Sequence, residues 1–163
     1  MLLTQTVKSG GKILLCGNGG SSADCEHISG ELLKDFLSKR CLSPTDMKKF
    51  EQSEESTALS KKLQYGICAI PLPSMTALFT AFCNDVDPAA VYAQLVFAVG
   101  RKGDALLCIS TSGDAENVCN AAITGQVMGM RVLGLTGRSG GRLAHLCGGC
   151  IQVYYGKTCR RLC

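Results

Sequence analysis

The chain is poor in charge: Asp, Glu, Lys and Arg make up 18% of its 163 residues, against about a quarter in an average soluble domain. Two readings follow, a large core for the size or a surface partly covered by a second subunit. The small excess of positive charge, +4, is partly lodged in Lys157, Arg160 and Arg161. It forms no basic stripe, which excludes a nucleic-acid-binding face and suits a small anionic ligand. No apolar run approaches the length of a membrane span. No charged start leads into an apolar stretch as a secretory signal would. There is no internal repeat and no low-complexity tract.

Cysteine is the exception to this scarcity, with 11 residues. The number is odd, and Cys16, Cys68 and Cys108 sit in or beside apolar runs, as small buried hydrophobes do. A reducing, cytoplasmic setting without a disulfide framework is expected. Cys147 and Cys150 form a lone CxxC. A zinc knuckle needs a second pair of ligands, and Cys159 with Cys163 would make an odd one.

The length suits one domain, and 46% apolar residues are enough to fold it. Five short apolar segments, 12–16, 67–71, 105–110, 131–136 and 150–154, read as parallel strands buried on both faces. Helical periodicity lies between them. Over 22–37 it aligns Cys25, Ile28, Leu32 and Phe36; over 116–130 it aligns Val118, Ala121, Ala122 and Met128. Alternating strands and helices predict an α/β fold, a parallel sheet covered on both sides. The Lys-, Glu- and Ser-rich stretch 43–64 reads as a solvated excursion carrying one helix, opened by Pro44. The tail 154–163 carries neither strand nor helix patterning.

Two strand-to-helix junctions have the composition of anion sites. In the first, Gly17-Asn18-Gly19-Gly20-Ser21-Ser22, glycines let the backbone turn sharply against a ligand. Free N–H groups at the following helix start favour a negative charge. A dinucleotide fingerprint needs Gly where Ser22 stands, and a Walker loop needs Gly-Lys-Ser/Thr; both are lacking. In the second, Ser110-Thr111-Ser112-Gly113-Asp114, three consecutive hydroxyls at a helix start can surround a phosphate, while Asp114 reads as a helix cap. A plain Gly-rich turn and a Ser/Thr-rich cap are the bland alternatives. Both junctions fall at the carboxyl ends of strands, where open α/β sheets bind ligands. His27 and Glu31 are four residues apart on one helix face, a spacing that serves joint zinc binding, an acid–base pair or an ordinary surface pair. Asn84-Asp85 suits either sugar hydroxyls or a turn.

Together these motifs, with Gly103-Asp104, Asn117-Val118, Gly134-Leu135-Thr136-Gly137 and Gly140-Gly141, resemble the phosphoheptose isomerases of the sugar isomerase (SIS) family. The resemblance runs from about Gly10 to about Val153, in family order. It implies a three-layer α/β/α sandwich around a five-stranded, flavodoxin-like parallel sheet, in one SIS domain spanning 1–163. It implies homotetramers with sites at subunit interfaces, and conversion of sedoheptulose 7-phosphate to heptose 7-phosphate through an enediol, for cell-envelope sugars. By the same resemblance Asn18, Gly19, Gly20 and Ser21 contact substrate, and Asn84 and Asp85 take sugar hydroxyls. Ser110, Thr111 and Ser112 hold the phosphate. His27 and Glu31 are two zinc ligands, and Glu31 is also the base.

The sequence departs from the family in several places. Ala115 replaces a serine donor, and the 37–64 region is longer than the common form. The chain reads as cut short at both ends, lacking the family's N-terminal helix and a C-terminal helix whose Gln and His complete zinc binding and proton transfer; Gln152 and His145 do not match them. Weak binding and little or no turnover are therefore expected, with a non-catalytic SIS sugar-phosphate-binding protein as the alternative to the isomerase.

Overall fold

In the computed structural model, residues 2–154 are described. Five strands, β1 (Ile13–Gly17), β2 (Ala69–Pro71), β3 (Ala105–Ser110), β4 (Arg131–Gly137) and β5 (Gly149–Val153), form one sheet in the order β2-β1-β3-β4-β5. Every pairing is parallel, so each crossover carries helix. The helices are α1 (Leu2–Lys8), α2 (Gly20–Leu33), α3 (Pro44–Lys48), α4 (Glu54–Ser60), α5 (Thr76–Asp85), α6 (Val91–Val99), α7 (Glu116–Val127) and α8 (Leu143–Leu146).

The alternation along β1 separates the two layers that cover the sheet. Ile13 and Leu15 pack with Leu3 and Val7 of α1 and with Cys25, Ile28 and Leu32 of α2. Leu14 and Cys16 pack on the opposite side with Tyr92 and Leu95 of α6, Val118 and Ala122 of α7, and Leu143 of α8. Successive side chains of a strand point to opposite faces, so one five-residue strand anchors both cores. The expected three-layer α/β/α sandwich around a five-stranded parallel sheet is the observed one.

Four local expectations are corrected. Among the described residues β5 is an edge strand paired only with β4, and Ile151 is 68% exposed; apolar composition alone did not distinguish an edge from the sheet's centre. Cys68 is exposed, because β2 begins one residue later. The helix expected over 22–37 ends at Leu33, and Phe36 is left 74% exposed. The cause is distant in sequence: the Arg40 guanidinium takes the carbonyls of Leu32, Lys34 and Tyr65, so the chain leaves the helix there. Finally, the excursion holds two helices rather than one. Ser43 caps α3 by accepting from Asp46 N, and Ser53 with Ser56 forms a capping box on α4, so each short helix has its own start signal.

The CxxC reading has a partial outcome. The Cys147 and Cys150 sulfurs both lie over Gly134, where a Cβ would meet them at 3.1 and 2.9 Å. Burial pushes the Cys147 thiol up to about 12, which disfavours its thiolate. Cys159 and Cys163, like Lys157, Arg160, Arg161 and most of the 154–163 tail, lie outside the described residues.

Candidate phosphate-binding site

The first junction is shaped by close approach. Gly17 closes β1 where a Cβ would lie 2.8 Å from the Ser21 Cβ and 2.9 Å from the carbonyl oxygen of Ile109. Gly19, the N-cap of α2, has φ 54° and ψ −120°, a combination that only glycine adopts cheaply. The turn is closed by Ser21 N donating to the Asn18 carbonyl and Ser22 N to that of Gly19, both at 3.0 Å. No side chain caps α2. Asn18, Gly19 and Gly20 are exposed, and Ser21 is half-buried, at the positive end of a helix of 14 residues.

The second junction leaves its hydroxyl hydrogens free to donate. The buried Ser110 Oγ accepts from Gly113 N at 3.2 Å, and Ser112 Oγ accepts from Asp114 N at 3.1 Å. A hydroxyl that accepts in this way keeps its own hydrogen for a ligand. Thr111 and Ser112 are exposed. Behind them the segment after β4 acts as a splint: Gly137 N, Ser139 Oγ and Leu143 N donate to the carbonyls of Thr111, Ser112 and Gly113. Asp114 does not cap α7, contrary to the sequence reading. Its Oδ1 accepts from Arg142 N at 2.9 Å, while the N-cap of α7 is Ala115, with no side-chain cap. The start of α7 is therefore open to an exogenous anion.

The two junctions converge. β1 and β3 are neighbours in register, with Gly17 opposite Ile109, and the chain runs outward to β2 on one side and to β4 on the other. This is the topological switch point of a doubly wound sheet. Across it Asn18 and Asn117 exchange side-chain hydrogen bonds, Asn18 Nδ2 to Asn117 Oδ1 at 2.8 Å and Asn117 Nδ2 to Asn18 Oδ1 at 3.0 Å. From below, the buried Tyr92 hydroxyl donates to the Gly17 carbonyl at 2.5 Å. A different surface hollow, lined by Glu51, Gln52, Glu54 and Lys61 among others, lies on the excursion and carries the wrong balance of charge for phosphate.

The remaining candidate residues lie further along α2 and at the end of α5. His27 is exposed on α2, about 10 Å along the helix axis from its first residue at about 1.5 Å per residue. Glu31, one turn further, accepts from Lys34 Nζ at 3.4 Å through Oε1, while its Oε2 is buried with no hydrogen-bond partner. Asn84 and Asp85 close α5 in the open, bonded to each other at 2.8 Å. For zinc, one imidazole and one orphaned carboxylate oxygen are suitable donors, but such an ion takes three or four protein ligands. Among the described residues no group of three His, Cys, Asp or Glu converges on a point. The described residues alone do not make a zinc site. Sequence reasoning missed Tyr92, buried in the mostly apolar helix Val91–Val99, and the pairing role of Asn117; the one signal for Tyr92 was a phenol hydroxyl in an apolar run.

Residues 67–137 match the family model described as SIS domain. The phosphoheptose isomerase of Desulfovibrio desulfuricans is 42% identical over 85% of this chain and 54% of its own length. That of a Nitratiruptor species is 35% identical over 98% of this chain and 73% of its own. The solved structure of phosphoheptose isomerase from Neisseria gonorrhoeae superposes with a TM-score of 0.74 at 31% identity, covering 98% of this chain and 72% of that one. The chain thus spans about half the length of the Desulfovibrio relative. With the sheet order, both junctions and these likenesses in agreement, the chain belongs to the phosphoheptose isomerase family of SIS-domain proteins.

Proposed function

We propose that this chain binds the phosphate of a sugar phosphate and, as its family name implies, interconverts sedoheptulose 7-phosphate and heptose 7-phosphate, for heptose-containing envelope sugars. The supporting observation is the convergence of two uncapped strand-to-helix junctions on adjacent strands. The phosphate would take the hydroxyls of Ser110, Thr111 and Ser112 and the open start of α7, with Asn18, Gly19, Gly20 and Ser21 facing the sugar. Asn84 and Asp85 would reach sugar hydroxyls. The reaction needs no oxidant: a base takes the C1 proton while O2 gains one, giving the enediol, which collapses as a proton returns to C2 and O1 gives up its own to become the aldehyde oxygen. Glu31 is proposed as that base, its Oε2 being the buried carboxylate oxygen without a partner. Zinc is proposed only with His27 and Glu31 as two of its ligands and others from outside the described residues; no step is routed through it. The chain is proposed as a single domain working in the cytoplasm as a homo-oligomer, dimer or tetramer. Leu37, Phe97 and Val127, exposed at 91, 66 and 84%, support the oligomer, and the free described cysteines suit a reducing compartment. No described helix is long and apolar enough to cross a membrane, and no nucleic-acid partner is proposed.

Titration with sedoheptulose 7-phosphate, and exchange of its C1 proton in D2O, test this reading. The wild type should bind and exchange. Ser112→Ala should bind about fivefold more weakly, the worth of one hydrogen bond of about 1 kcal/mol. Glu31→Gln should bind and not exchange. Absence of binding, or exchange by Glu31→Gln at the wild-type rate, would overturn it; binding without exchange by the wild type would leave a sugar-phosphate-binding module.

A further inference from the structure

We propose that Asn117 is a positioning residue, holding the Asn18 amide in one orientation and so fixing the first junction against the second; this rests on the binding site proposed above. The geometry is that of a closed amide pair, each side chain donating to and accepting from the other at 2.8 and 3.0 Å. Both bonds form only when each amide oxygen faces the other's nitrogen, so a flip of either side chain breaks the ring. An amide has two N–H donors and an oxygen with two lone pairs. The pair uses one of each, leaving Asn18 with one N–H and one lone pair in defined directions at the mouth of the cleft.

Location gives the pair its purpose. The partners are 99 residues apart in sequence. Asn18 follows β1, and Asn117 is the second residue of α7, in the helix that follows β3. The pair spans the switch point that the two strands create. It is no stability device, for Asn18 is exposed and Asn117 half-buried, where hydrogen bonds compete with water. Of the two, Asn18 is the more exposed and stands at the mouth of the cleft, so Asn117 acts on the ligand through it.

The experiment compares two probes, inorganic phosphate and sedoheptulose 7-phosphate, on the full chain and on Asn117→Ala, Asn18→Ala and the double variant. Inorganic phosphate reads the second junction; the sugar phosphate needs both. Asn117→Ala should melt within about 2 °C of the wild type, since the bonds it loses compete with water. It should bind inorganic phosphate as before and the sugar phosphate about tenfold more weakly, about 1.4 kcal/mol. The double variant should bind no worse than Asn18→Ala, because a residue that acts through another adds nothing once that one is gone. Unchanged sugar-phosphate affinity in Asn117→Ala overturns the inference while leaving the site intact. Additive losses, or equal weakening of both probes with a lowered melting point, overturn it too by showing independent or purely structural roles. If the wild type binds neither probe, the site reading fails and this inference with it.

Discussion

The Tyr92 hydroxyl stands 2.5 Å beneath the Gly17 carbonyl oxygen, joining the buried face of α6 to the last residue of β1 at the point where the chain turns into the anion loop. The ring is fixed as well, edge-on to Phe79 with centroids 5.3 Å apart. A backbone carbonyl at a strand end has no ladder partner of its own, and an orphan of this kind costs about 1–3 kcal/mol when buried.

Tyr92→Phe keeps the ring and removes only the donor. It should lower unfolding free energy by about 1–3 kcal/mol, measured in urea, and should weaken sugar phosphate as the Gly17–Asn18 turn loosens. Burial raises the Tyr92 pKa well above that of an ordinary tyrosine, so the hydroxyl remains a donor through alkaline pH. The difference between wild type and variant should therefore stay constant from pH 6 to about 9. A difference that vanished by the alkaline end of that range would contradict this account.

The glycines of the two junctions make opposite predictions. Gly113 has φ +76°, and a Cβ there would lie 2.0 Å from the Gly140 carbonyl oxygen; the splint behind the hydroxyl loop is backbone and cannot swing aside. Gly113→Ala should cost about 3 kcal/mol or more. Gly20 has an ordinary φ and nothing within 4 Å of its Cβ position. Gly20→Ala should leave stability within about 0.5 kcal/mol yet weaken phosphate ligands, because the methyl occupies the mouth of the first loop. Urea midpoints and titrations on the two variants check the contrast. Equal destabilisation by both would show that Gly20 serves folding and not the ligand.

How much of this was legible follows from how local each signal is. The central strands were readable because a parallel strand covered on both faces is apolar throughout; β3 falls on the expected 105–110. β5 has the same composition but a single neighbour among the described residues, and no residue within it reports that. The early end of α2 is set by Arg40 and Tyr65, residues beyond the helix itself. Asp114 was misread for the same reason: the amide it accepts from belongs to Arg142, 28 residues away. The two loops were readable as turns, since glycine and hydroxyl runs speak for themselves. Their convergence was an inference from the strand order, and the Asn18–Asn117 bridge could not be seen without the fold.

Asp104 provides a control at the other end of the sheet. It precedes β3 and binds the start of β1: its carboxylate accepts from Lys12 N at 3.0 Å, Lys12 Nζ at 2.5 Å and Arg101 N at 2.9 Å. Its side chain is 6% exposed. Burial works to raise its pKa, but the hydrogen bonds and charge of Lys12 and the Arg101 amide outweigh it and hold the carboxyl below the usual 3.8. The folded state thus binds this proton less readily than the unfolded chain. The stabilisation is complete above the unfolded value and is lost as pH falls through the folded one. Asp104→Asn should cost about 1–3 kcal/mol at pH 7, the worth of hydrogen bonds to a charged group. That deficit should shrink below about pH 4, read from urea midpoints at pH 7 and pH 3. Because β1 and β3 carry their ligand loops at the carboxyl edge, affinity for sugar phosphate at pH 7 should be unchanged in the folded variant. A deficit independent of pH would show that the carboxylate charge is not what ties the strands. A fall in affinity would show that the amino edge sets the geometry of the cleft.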